Sequence, residues 1–158
     1  MQSGWRVGAI LGIPLYIDTS WFLILLLVTY VYGTDPGWQA TWGGLSWVMG
    51  FGLTLLLFGS VLLHELGHSV AAMRQGITVN SITLFLFGGI ASIDRESKTP
   101  EAALKVAIAG PLVSFGLFLS LSLLTSAAVL PSSAQAVMLN VAQINLVLTL
   151  FNLIPGLP

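Results

Sequence analysis

The sequence predicts an all-α polytopic membrane protein with about four transmembrane helices and a short membrane-associated β segment between the second and the third. Composition and pattern both say so. Of 158 residues, 56% are hydrophobic and 7% charged, whereas a soluble domain carries about 25% charged residues. Mean hydropathy is +0.94. Apolar runs of roughly 20 residues, long enough to cross about 30 Å of hydrocarbon, recur along the chain with its few charges between them. Residues 1–158 contain no repeat, low-complexity tract or linker, and read as one membrane-embedded unit.

The first predicted span runs from about Ile13 to Tyr32 and is densest in WFLILLLVTYVY. No small-residue cleavage site follows it, and Gly33, Thr34, Asp35 and Pro36 form a turn, so it reads as a retained span and not a signal peptide. The second runs from about Trp47 to Met73. Tyr16, Trp21, Tyr30, Tyr32, Trp38, Trp42 and Trp47 flank the first two, as aromatic anchors at the headgroups do. Residues 78–93 carry β-branched and aromatic side chains, which predict a strand pair turning at Gly88 and Gly89. Open strand edges cannot face lipid, so this piece belongs against helices or at a water-filled cavity, with a surface hairpin as the alternative. The third span covers about Ala102–Ala128 and the fourth about Ser133–Ile154. Gly59 and Gly67 in the second span are expected to let neighbouring helices approach.

Arg6 precedes the first span, and Arg74, Arg95, Lys98 and Lys105 lie between the second and third. By the positive-inside rule the N-terminus and the β segment are cytoplasmic. The second and fourth spans then both descend to the cytoplasmic side, where their ends meet. Five basic and six acidic residues give a net charge of -1, which leaves no cationic face for a nucleic-acid partner. The absence of cysteine excludes disulfides, thiolate ligands and thiol nucleophiles.

Ten of the eleven charged residues lie in loops, at span ends or within about a turn of them, and the eleventh, Glu65, is inside the second span, where such a group costs on the order of 3 kcal/mol and marks function by default. His64 and His68, the only histidines in the chain, flank it. Four residues apart on a helix, the two imidazoles share a face and can converge on one zinc ion, leaving positions for a third ligand and a water. Glu65, about 100° around the helix from His64, can take a proton from that water as general base. The alternative is a pair of structural histidines, one of them bonded to Glu65. His68 precedes Arg74 by six residues, about 9 Å of helix, so the metal lies in the membrane near its cytoplasmic face.

Asn145, Thr149 and Asn152 form a polar stripe on the fourth span, which should turn inward. Asn152 falls on the same membrane side as the histidines, before Pro155 and Pro158, which imply unwound backbone; an ordinary helix cap is its other reading. After Glu101 no acidic residue follows. The third metal ligand is therefore expected just beyond Pro158; otherwise Asp18 or Asp35 folds over, or the site is incomplete.

Taken together, HELGH at His64–His68 and the run Asn152, Leu153, Ile154, Pro155, Gly156, Leu157, Pro158 resemble the site-2 protease family of intramembrane zinc metalloproteases. In that family a later helix ends in Asn-x-x-Pro-x-x-Pro-Leu-Asp-Gly, and its Asp would fall two residues past Pro158. GIPLYIDTSWF, LFLFGGIA and Ala109, Gly110, Pro111 are similar to the family too. The resemblance implies His64 and His68 as zinc ligands, Glu65 as catalytic base, and Asn152 beside the metal assisting substrate or oxyanion binding. It also implies that the segment with Gly88 and Gly89 receives substrate as an added strand. The implied activity is hydrolysis of a peptide bond in or near the transmembrane helix of a single-span membrane substrate. A prokaryotic cell membrane and a C-terminal CBS-type regulatory domain, absent from this chain, are implied as well. The other readings are a catalytically inactive relative that binds membrane helices and a metal transporter using the two histidines in transit.

Overall fold

The computed structural model describes residues 4–95, 97–127 and 131–154. Strands β1 (Trp5–Ile10) and β2 (Ile13–Ile17) open the chain, followed by helices α1 (Ser20–Thr34), α2 (Pro36–Trp42) and α3 (Ser46–Met73). Strands β3 (Val79–Phe85) and β4 (Gly88–Ile93) come next, then α4 (Pro100–Ser126) and α5 (Ser132–Leu153). The second, third and fourth predicted spans correspond to α3, α4 and α5. The predicted end of the third at Ala128 lies outside the described residues.

The start of the molecule corrects the sequence reading. Ile13–Ile17, taken as the beginning of a span, is a strand that pairs in parallel with β3, Leu15 opposite Ile82 and Ile17 opposite Leu84. A two-residue turn at Leu11 and Gly12, both at positive φ, folds β1 back on β2. The sheet thus has four strands in the order β1-β2-β3-β4, twice the expected number. A short apolar run fits strand and helix alike, and here backbone pairing to a segment some 65 residues away decides it. Helix α1 keeps only 15 residues, about 22 Å. Three helices among the described residues are long and apolar enough to cross a membrane: the one ending at Met73, α4 and α5.

A second correction concerns the β segment. Its turn is Leu86–Phe87, with Phe85 opposite Gly88, so both glycines lie within β4. The strand is not a surface hairpin, because Val79, Ser81, Ile82 and Leu84 are buried. With Ile13, Trp21, Leu25, Phe58, Val61 and Ala72 these apolar strand residues form the larger core, which seats the sheet against α1 and one end of α3.

Local chemistry sets the helix ends. Asp35 accepts from the Trp38 N–H (2.9 Å) to start α2, and Thr99 accepts from the Ala102 N–H (3.2 Å) to start α4, each with proline next. After α3, Gly76 takes a φ of +71° and turns the chain into β3. The helical bundle buries small and polar side chains among its apolar core residues and turns large apolar ones outward. Ser46, Thr54, Ser60, Ser69, Ser114, Asn145 and Thr149 are buried, whereas Leu23, Leu26, Leu112, Leu123 and Leu150 face outward. That distribution suits lipid, where close helix packing relies on small and hydrogen-bonding residues. Gly67 behaves as expected, since a Cβ there would come within 2.8 Å of the Ala109 carbonyl of α4. Gly59 does not; it faces open space.

Candidate metal centre

The chain reverses direction at each loop, so the last turns of α3 and α5 and the first turns of α1 and α4 gather at the sheet end. HELGH occupies the part of α3 that packs on α4. The His64 imidazole is 2% exposed, and its Nδ1 lies 2.9 Å from Ser114 Oγ on α4. His68 Nδ1 donates to the Val106 carbonyl of the same helix at 2.8 Å. A carbonyl only accepts, so His68 carries its proton on Nδ1 and presents a lone pair at Nε2. Ser114 Oγ can accept in the same way from His64. The two Nε2 atoms point at each other, 3.1 Å apart.

That separation tests the fit of zinc. Two nitrogens at about 2.0–2.1 Å from a tetrahedral zinc sit about 3.3 Å apart. Lone pairs facing each other at 3.1 Å repel unless a cation or a proton lies between them. Each ring has its other nitrogen oriented by a neighbour, the usual support for a metal-binding imidazole. The residues present therefore fit zinc as two of its ligands. Among the described residues no group of three His, Cys, Asp or Glu completes a metal cluster. Asp35 is spent on capping α2, and Asp18 accepts from the Ser20 N–H (2.9 Å) at the start of α1. Pro155 and Pro158, and the unwinding expected there, lie outside the described residues.

A cavity of about 620 Å³ opens beside the pair, lined by His64, Glu65, Gly88, Gly89, Phe151 and Asn152 among others. It brings together the predicted site residues except His68, which stands behind His64. Glu65 packs against β4: a Cβ on Gly89 would lie 2.5 Å from its Cγ. This contact explains why glycine sits within the strand instead of at the turn. Asn152 is exposed at the cavity wall, where its Nδ2 donates to the Leu148 carbonyl at 2.8 Å. The polar stripe divides. Asn145 donates to Ser60 Oγ on α3 (2.9 Å) and Thr149 to the Pro111 carbonyl of α4 (3.4 Å), so these two join helices while Asn152 faces the cavity.

Reading residues singly missed the contribution of α4. Ser114 and the Val106 carbonyl hold the imidazoles, and Gly110 leaves the room: a Cβ there would overlap the His68 ring. A visible signal existed in the small residues Gly110 and Ser114, one turn apart in a span of bulky side chains.

Fold and site together define a class, a membrane-embedded helical bundle that presents a His-Glu-x-x-His helix to a small sheet. The chain belongs to Peptidase family M50, the site-2 protease family, which its residues 52–133 match. It is similar to the Synechocystis protein sll0528, 54% identical over 159 residues, covering all of this chain and 42% of the relative. It is similar also to Rip3 of Mycobacterium tuberculosis, 37% identical over 166 residues and again 42% of that protein's length. Both are described provisionally as zinc metalloproteases. The site-2 protease from Methanocaldococcus jannaschii superposes with a TM-score of 0.71 at 33% identity, over 98% of this chain and 66% of that one. The chain spans about two fifths of the length of the curated relatives it matches.

Proposed function

We propose that this chain is the catalytic membrane core of a zinc metalloprotease that hydrolyses a peptide bond in, or at the border of, a transmembrane helix of a membrane-protein substrate. The observation that carries the reading is the convergence of His64 and His68 Nε2 at 3.1 Å with Glu65 in the adjoining cavity. A bound zinc supplies Lewis acidity, which polarises the scissile carbonyl and acidifies water at neutral pH. His64 and His68 would hold it, oriented by Ser114 and Val106, and a carboxylate just beyond Pro158 is the expected third ligand. Glu65 accepts a proton from the attacking water and delivers it to the leaving nitrogen as the C–N bond breaks. One water is consumed, and one carboxyl and one amine terminus result.

Asn152 stands where its amide can hydrogen-bond the substrate carbonyl or the oxyanion it becomes. Gly88 and Gly89 keep the terminal strand β4 free of side chains beside Glu65, which suits a substrate added as a further strand. A helix must unwind before its peptide bond can be attacked, and strand pairing satisfies the freed backbone groups. The loop charges favour a multi-pass orientation with the N-terminus and the site towards the cytoplasm, and the family resemblance is the ground for placing it in a prokaryotic cell membrane with a C-terminal CBS-type domain as regulatory partner. Glu65→Gln tests the assignment. Zinc content should be retained, while cleavage of a co-expressed membrane substrate should fall by about 10²–10⁴-fold. Cleavage at the parent rate would remove Glu65 from the chemistry.

A further inference from the structure

Gln143 is the twelfth of the 22 residues of α5, midway along an apolar helix. Its side chain is exposed and makes no hydrogen bond among the described residues. An amide without a partner at mid-span is costly in hydrocarbon, so it calls for an occupant that hydrogen-bonds it. The groove into which Gln143 opens lies between α1, α3 and α5 and encloses about 450 Å³. It is continuous with the cavity beside Glu65, because Val61, Phe87, Gly88, Val147 and Leu148 line both. At the far end Tyr32 donates to Asn140 Oδ1 (3.1 Å), which ties α1 to α5 and satisfies both side chains. From Asn140 to Asn152 the groove follows α5 for about 18 Å, the length of roughly three helical turns.

We propose that this groove seats the still-helical part of a substrate's transmembrane segment, and that Gln143 selects substrates carrying an amide or hydroxyl side chain on the face turned towards it. The inference rests on the proteolytic reading above. Gln143 lies nine residues from Asn152, about 14 Å along the axis, so the polar group it reads sits well away from the bond cut near Glu65. A permanent helix of the same protein in this position would close the cavity on that side; a substrate helix occupies it only in passing.

The chain lacks cysteine, so single engineered cysteines report on the groove directly. Val147→Cys is combined with Glu65→Gln in the full-length protein. It is co-expressed with a single-span reporter whose poly-leucine helix carries one asparagine and one cysteine at successive positions. The expected result is a disulfide with reporter cysteines on one helical face. Its yield should drop by about threefold, the worth of one average membrane hydrogen bond, when either Gln143→Leu or the reporter's Asn→Leu change is made. Making both changes should cost no more than either alone. Zinc content equal to the parent shows that Gln143→Leu has folded. The proposal is overturned if the yield ignores Gln143, if the disulfide links two copies of the protease, or if the thiol introduced by Val147→Cys resists a membrane-permeant maleimide because another segment covers it. Cleavage by the Glu65-bearing enzyme is scored separately. Gln143→Leu cutting every reporter at the parent rate overturns the groove's role and leaves proteolysis standing; Gln143-dependent disulfides with no cutting anywhere count against proteolysis alone.

Discussion

Gly89 of β4 and Glu65 of α3 are packed so closely that a Cβ on the glycine would lie 2.5 Å from the glutamate Cγ and 3.4 Å from Oε1. The strand thereby fixes where the carboxylate stands relative to the imidazoles, although sheet and motif are separate in sequence.

Gly89→Ala should push the Glu65 side chain aside without touching the histidines. A displacement on the order of 1 Å can lower a rate about 10²-fold. The expectation is a cleavage rate reduced by about that factor with zinc content unchanged; equal loss of zinc would show that the strand supports the metal site as well.

Ser114→Ala removes the hydrogen-bond partner of His64 Nδ1. Loss of such a supporting contact lowers metal affinity by about 10–100-fold, measurable by chelator competition on the purified protein. An unchanged affinity would mean that helix packing alone orients the ring.

Gly110→Ala places a methyl against the His68 ring, whereas Gly116, on the same helix, has nothing within 4 Å of its added Cβ. Zinc retention should fall in Gly110→Ala and stay at the parent level in Gly116→Ala. Matching behaviour of the two would dissociate the metal site from the approach of α4.

Asn145→Ala breaks the link between α5 and Ser60 of α3. Hydrogen bonds between membrane helices contribute about 0.6 kcal/mol on average and up to about 1.7, so unfolding in mixed detergent should shift by an amount in that range. Zinc content should not change, because this residue joins helices and does not touch the imidazoles.

How far the sequence carried differs between the helices and the sheet. Long apolar runs locate α3, α4 and α5 to within a few residues, since burial in lipid acts on every residue of such a run. The strand Ile13–Ile17 was hidden, because five apolar residues ahead of a helix look like more of that helix. The pairing partner that makes them a strand, Ile82–Leu84, is remote in the chain. Gly88 and Gly89 have the propensity of turn residues, yet both pair within β4, and at Gly89 the packing contact with Glu65 requires the glycine.

By itself the sequence determined that this is a membrane protein with an ionisable triad inside one span, for composition and helical spacing are local properties. It set His64 and His68 on a common face before any packing was known. Tertiary structure alone decided which groups orient them: Ser114 and Val106 arrive from α4, and β4 arrives against Glu65. It also left Gln143 bare in a groove while burying Asn145 two residues on. The physical reason is that helix periodicity gives the direction of a side chain about its own axis, whereas what it meets depends on where other helices cross.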